Sequence, residues 1–291
     1  MPLLLLALPG CVAAAPPPAA VPPPIGFQRP SVPPPAIGFV RKGLAQQGGL
    51  LRWRLAPGDP ATIRLTLDGR PVPVAPDGAF LLAFGRDAAP LATLEASAPG
   101  RPPVQETIAV QPRAWKIQSL PTLSRGTTPN AAFLARREPE LARIAAARAA
   151  GSASEGWRQR FVWPATGRIS GVFGSQRIYA GEPGAFHGGV DVARPTGAPV
   201  VAPADGVVVL AAEAPFTLEG NLLMIDHGMG LVSAFLHLSR IDVKPGDRVA
   251  QGQPIGAVGA TGRATGPHLH WGMTWGDVRI DPALLAGAMP G

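Results

Sequence analysis

The chain has 291 residues, 36 of them glycine and 36 proline, with hydrophobic residues at 46%. It is long enough for about two domains, and the prolines crowd its first forty residues, so the rest is not low in complexity. Its formal net charge of +7 suits an anionic polymer, but no lysine-rich run interleaved with aromatics occurs, so nucleic acid is not an expected partner. The one cysteine, Cys11, excludes an internal disulfide and a thiolate metal site, so any metal must rest on His and Asp.

Residues 1–15 form a short apolar run ending in small residues, which reads as an export signal too short to span a bilayer. Two processing routes are open: cleavage after the small residues Val12 to Ala15, or acylation of Cys11, because Leu8-Pro9-Gly10-Cys11 resembles a bacterial lipobox. The second route would tie the protein to outer-membrane lipid. Residues 16–36 hold three triple-proline runs, which favour polyproline II and form a semi-rigid spacer.

From 37 to 112 the pattern is β. Leu51-Arg52-Trp53-Arg54-Leu55 alternates, as does Ile63 to Leu67, and Asp68-Gly69 then reads as a hairpin turn. Short strands at this spacing suggest an immunoglobulin-like β-sandwich. Residues 113–156 read as a linker with a helix over 138–150. Pro139 is expected in its first turn, Gly151 just past its end, and Leu141, Ile144 and Ala145 on its apolar face. From 157 to 285 strands and turns return, with no helix expected between 161 and 279.

All five histidines fall in this last third: His187, His227, His237, His268 and His270. Strand side chains alternate, so His268 and His270 project from one face. In His187-Gly188-Gly189-Val190-Asp191 the first and last residues also share a face if the segment is extended. Two imidazoles and a carboxylate with one position left for water make a catalytic zinc set, and His187, Asp191 and His270 are the expected ligands. His268 and His237 would lie nearby, where a neutral imidazole takes a proton from water and a protonated one steadies an oxyanion. His227, in Asp226-His227-Gly228, reads as a turn residue. Trp271 and Trp275 read as packing residues, with a groove wall as the other option. No HExxH, GxSxG or Walker-type motif is present.

These residues resemble the LytM/lysostaphin-type zinc endopeptidases that cut bacterial peptidoglycan. The resemblance spans roughly 163–282 and rests on Phe173-Gly174, His187 to Asp191, Ala202 to Gly206, Asp226 to Gly228, His237 to Ser239 and Gly262 to His270. It implies a C-terminal antiparallel β peptidase domain with a groove over one zinc ion. It also implies His187, Asp191 and His270 as ligands and His237 and His268 as catalytic histidines. A weaker similarity, carried by Arg113 to Gln118 and Gly174 to Arg177, links the chain to a periplasmic group of these enzymes. The expectation is therefore a mainly β, exported zinc metalloendopeptidase of the periplasm or cell envelope, hydrolysing peptide cross-links of peptidoglycan. The competing expectation is a non-enzymatic activator of other wall hydrolases.

Overall fold

Alternation of apolar and polar residues builds the N-terminal strands, in a computed structural model that describes residues 37–56, 60–124 and 130–290. The expected export signal, lipobox-like segment at Cys11 and proline-rich spacer lie outside the described residues. Strands β1 (Phe39–Val40), β2 (Leu50–Leu55), β3 (Arg64–Leu67), β4 (Arg70–Pro71), β5 (Ala79–Ala83), β6 (Leu91–Ser97) and β7 (Val104–Ala109) form two sheets, ordered β1-β2-β5 and β4-β3-β6-β7. Leu51, Trp53, Leu65, Leu67, Leu94 and Ile108 fill the space between them. Asp68 and Gly69 both have positive φ, as a two-residue hairpin turn between right-twisted strands requires.

Strand β5 departs from alternation because every residue in it is buried. Phe80 and Leu82 enter the sandwich core, while Ala79, Leu81 and Ala83 join the core of the C-terminal region. The β layer is thus fused to the rest through one doubly covered strand. Arg52 reinforces the seam by donating from Nε to the Trp157 carbonyl at 2.7 Å and from Nη2 to that of Gln159 at 3.1 Å.

Strand β8 (Ile117–Leu120) precedes helix α1 (Ala131–Ala149). The helix begins earlier than the sequence suggests, because Asn130 caps it by accepting from the Phe133 amide at 2.8 Å. Pro139 therefore sits inside the helix, where a proline costs about 3 kcal/mol relative to alanine. Side chains flanking it hold the helix down. Arg137 makes two 2.6 Å contacts to the Glu219 carboxylate, and Glu140 accepts from the Thr217 amide and hydroxyl at 2.6 and 2.7 Å. The buried face is Ile144 and Ala147, whereas Leu141 and Ala145 are exposed.

The C-terminal strands are β9 (Arg168–Gly171), β10 (Gln176–Tyr179), β11 (Glu182–Pro183), β12 (Gly189–Ala193), β13 (Pro199–Val201), β14 (Gly206–Ala211) and β15 (Asn221–Asp226). They continue with β16 (Leu231–Leu238), β17 (Arg240–Ile241), β18 (Arg248–Val249), β19 (Pro254–Ala257), β20 (His268–Trp275) and β21 (Val278–Ile280), before α2 (Pro282–Ala286). Eight strands make one antiparallel sheet, ordered β18-β14-β15-β16-β20-β12-β9 with β21 on β20. Its inner face carries Val190, Val192, Leu223, Ile225, Phe235, Leu269 and Trp271, packed in one core with Phe161, Trp163, Val200 and Ile255. Its outer face splits into two regions. Leu210, Leu222, Met224 and Val232 lie under Ile144 and Ala147 of α1. The polar ends of β12, β16 and β20 remain open beside the helix.

Two segments singled out for the weaker similarity meet here. Strand β10 pairs in parallel with β8, and the Trp115 ring stands edge-on to Phe173 at 5.9 Å. Gly174, at φ +79°, has no room for a side chain, since a Cβ there would lie 2.2 Å from the Trp115 ring.

Candidate metal centre

Strands β12 and β20 run antiparallel with Asp191 directly opposite His270, so the two side chains share the outer face. Asp191 Oδ1 lies 2.8 Å from His270 Nδ1 and 3.0 Å from His187 Nε2, and the two ring nitrogens are 3.0 Å apart. His187 stands in the loop ahead of β12, not on the strand as the extended reading of the motif supposes. Its amide donates to the Ser175 carbonyl at 2.8 Å, and its carbonyl accepts from the Gly174 amide at 2.9 Å. The i, i+4 spacing still brings His187 and Asp191 together, 3.0 Å apart. Gly189 is required at that point, since a Cβ there would lie 2.4 Å from the Trp271 carbonyl and 2.8 Å from His270 Nε2.

The sheet positions His268 and His237 beside this cluster. His268 precedes His270 by two on β20, and its Nε2 is 3.8 Å from Asp191 Oδ1. His237 reaches the same face by a different device. Leu236 already points into the cleft, so regular alternation would turn His237 inward. Between the pairs Asn221–Leu238 and Leu223–Phe235, β16 carries one more residue than β15, a β-bulge. His237 also has φ +65°, which is uncommon for a non-glycine residue. Both Leu236 and His237 therefore line the cleft. The His237 and His268 rings are 4.8 Å apart.

Backbone carbonyls fix how these rings present themselves. A carbonyl only accepts, so the nitrogen facing it carries the proton. His187 Nδ1 faces the Val172 carbonyl at 3.0 Å, His237 Nδ1 that of Thr261 at 2.8 Å, and His268 Nδ1 that of Gly266 at 2.8 Å. Each neutral ring then keeps a lone pair at Nε2. Carbonyl groups of this kind orient metal-site histidines generally. None of the three was foreseeable from residue type, and neither was Gly171. A Cβ at Gly171 would lie 2.2 Å from Asp191 Oδ2.

The electrostatics follow from burial and pairing. Burial resists ionisation of Asp191, but hydrogen bonds from His187 and His270 outweigh it and hold the carboxyl well below its usual range. Burial lowers the pKa of His187, yet the adjoining Asp191 carboxylate reverses this and leaves it raised. His270 and His237 are lowered chiefly by burial, with neighbouring imidazoles adding to the effect. His187, Asp191 and His270 present ligand atoms all within 4.8 Å of one another. A set of two imidazoles, one carboxylate and no thiolate is the donor chemistry of a hydrolytic zinc ion.

The cluster opens into a cleft of about 510 Å³. Ile144 and Arg148 of α1 form one wall, and Ala185, Leu218 and Glu219 also line the cleft. His227 lies elsewhere, fully buried, between the Asp205 carbonyl and the Ser233 hydroxyl, each at 2.8 Å. Trp271 is buried 5.8 Å from Trp163, and Trp275 donates to the Met229 carbonyl, so both pack and neither walls the cleft.

Comparison with known proteins places this geometry. The model of the family described as peptidase family M23 matches residues 185–282. A 114-residue stretch is 44% identical to the peptidoglycan DD-endopeptidase ShyA of Vibrio cholerae serotype O1, covering 39% of this chain and 26% of that protein. An 85-residue stretch is 47% identical to ShyB, the peptidoglycan DD-endopeptidase of the same organism, covering 29% of this chain and 20% of that one. The chain thus spans about a quarter or less of the length of these curated relatives. A crystal structure described as a putative peptidase M23 from Pseudomonas aeruginosa is matched far more fully. It is 31% identical, with a TM-score of 0.63, over 84% of this chain and 96% of that one. Since that relative is covered almost end to end, the chain belongs to peptidase family M23.

Proposed function

We propose that the protein is a zinc-dependent endopeptidase that hydrolyses peptide cross-links of bacterial peptidoglycan in the cell envelope. The observation that carries this reading is the convergence of His187, Asp191 and His270 at 2.8–3.0 Å, with two further imidazoles beside them in an open cleft. The names of the relatives, peptidoglycan DD-endopeptidases, support the substrate.

His187 Nε2, Asp191 Oδ1 and His270 Nδ1 would hold a zinc ion. Bound zinc supplies Lewis acidity toward the scissile carbonyl and lowers the pKa of water. The remaining chemistry belongs to His237 and His268. With Nδ1–H tied to the Thr261 and Gly266 carbonyls, each ring presents Nε2 to the cleft. His237, whose pKa burial lowers, is neutral near pH 7 and accepts a proton from the attacking water as the new C–O bond forms. His268 donates a hydrogen bond to the carbonyl oxygen as negative charge develops there, which requires its protonated form. When the C–N bond breaks, the proton held on His237 passes to the departing amine.

We further infer that residues 37–112 act as a spacing or binding layer, 113–156 as a linker carrying α1, and 157–285 as the peptidase unit. Residues 1–15 serve export, processed either by cleavage after Val12 to Ala15 or by acylation of Cys11, and residues 16–36 serve as the spacer. The test of the central reading is His270→Ala. The expected result is loss of stoichiometric zinc together with loss of peptidoglycan digestion. Full zinc and full activity in the variant would overturn the ligand assignment.

A further inference from the structure

The cleft holds more positive charge than the proposed reaction uses. Its lining includes Arg137, Arg148, Arg263 and Arg279, against only Asp191 and Glu219. Glu219 is taken up by Arg137, and Asp191 by the histidines. Arg148, in the last turn of α1, makes no hydrogen bond or ion pair among the described residues, and its Nε is buried without a partner. Leaving a charged donor unpaired in a buried place costs free energy unless something fills its bonds. Burial, and then the nearby Arg279 charge, push its pKa down against a smaller opposing pull from Glu219, so the two guanidinium groups feel each other. Arg279, on β21, lines the same cleft. Its stem lies over Gly188, where a Cβ would meet Arg279 Cδ at 3.1 Å, and its guanidinium lies 5.9 Å from the Phe186 ring centre. It has no carboxylate partner either among the described residues. Two arginines with no carboxylate hydrogen bond or ion pair among the described residues thus line the cleft with the His/Asp cluster, one on the helix and one beside the His187 loop.

We propose that Arg148 and Arg279 form a subsite for an ionised carboxylate of the substrate, so that the enzyme selects peptides carrying a free carboxylate close to the scissile bond. This rests on the peptidase reading above. A guanidinium fork matches a carboxylate through two parallel hydrogen bonds, and a carboxylate is the anionic group a peptide supplies. The carboxylate belongs either to a side chain of the cross-linked peptide or to its C-terminus. Neutral glycine bridges or amidated peptides would leave both arginines unsatisfied and bind poorly.

The test uses zinc-loaded protein and three synthetic cross-linked peptides: one with both carboxylates free, one amidated at the C-terminus and one amidated at the side chain. KM and kcat are measured for the wild type, Arg148→Gln, Arg148→Lys and Arg279→Gln. Amidating the recognised carboxylate is expected to raise the wild-type KM by about tenfold to a hundredfold, with kcat moved far less. Arg148→Gln and Arg279→Gln should narrow that preference toward unity, and Arg148→Lys only partly. Whichever amidation produces the effect identifies the source of the carboxylate. If the wild type cleaves all three peptides with equal KM, or the variants lose the same factor on every peptide, the subsite is overturned and the peptidase reading stands. If zinc-loaded wild type cleaves none of them, the peptidase reading itself falls. Zinc content and melting temperature of each variant separate lost recognition from lost folding.

Discussion

His237 shows how one backbone angle places a reactive group. Its positive φ and the bulge beside it turn the ring toward the cleft, against the alternation of its strand. Asparagine tolerates that backbone region better than most residues. His237→Asn is therefore expected to fold and keep zinc while lowering kcat by roughly 10²- to 10⁴-fold, the usual worth of a general base. Zinc analysis beside steady-state kinetics checks both halves, and a variant that retains zinc and near-full kcat would remove His237 from the proton-transfer role. His227 belongs to stability instead. Burial lowers its pKa to about 4, so the folded protein keeps it neutral while the unfolded chain binds a proton below about pH 6.5. Between those values the unfolded state holds more protons, so stability falls as pH falls, by up to about 3 kcal/mol in total. Denaturant melts from pH 7 to 4 should show a steeper loss for the wild type than for His227→Gln.

Among the elements, α1 does two jobs at once. Its Ile144 and Ala147 cover the outer face of the β14–β16 region, and its flank walls the cleft. Ile144→Ala is expected to cost about 2–4 kcal/mol in denaturant unfolding, because Ile144 is only 6% exposed over Phe216 and Met224. A change below about 0.5 kcal/mol would mean that the helix is not seated as described. Legibility in the sequence followed how local each device is. The pairing of His268 with His270 was readable because strand period is fixed. The cap at Asn130 and the interior Pro139 were not, since the ties from Arg137 and Glu140 that hold the helix reach residues about eighty positions away. The buried face of α1 departs from expectation for the same reason: Leu141 is apolar but exposed, and Ile144 and Ala147 face the sheet.

For the whole molecule, the doubly buried β5 joins the N-terminal layer to the core behind the metal centre. That fusion was illegible because Ala79 to Ala83 reads equally well as one strand of an isolated sandwich. The centre itself was legible as residue types, yet its orientation depends on carbonyls of Val172, Thr261 and Gly266, which no side-chain pattern reveals. All these layers serve one proposed account, in which His187, Asp191 and His270 would hold zinc and the cleft would hydrolyse cross-linked wall peptides. The most direct test is mass spectrometry of the fragments released from purified cross-linked peptidoglycan by the zinc-loaded protein, with and without chelator. The account predicts loss of cross-linked peptides with release of their uncross-linked products, abolished by chelator and restored by added zinc. Unchanged cross-links with stoichiometrically zinc-loaded protein, or cleavage indifferent to chelator, would contradict it.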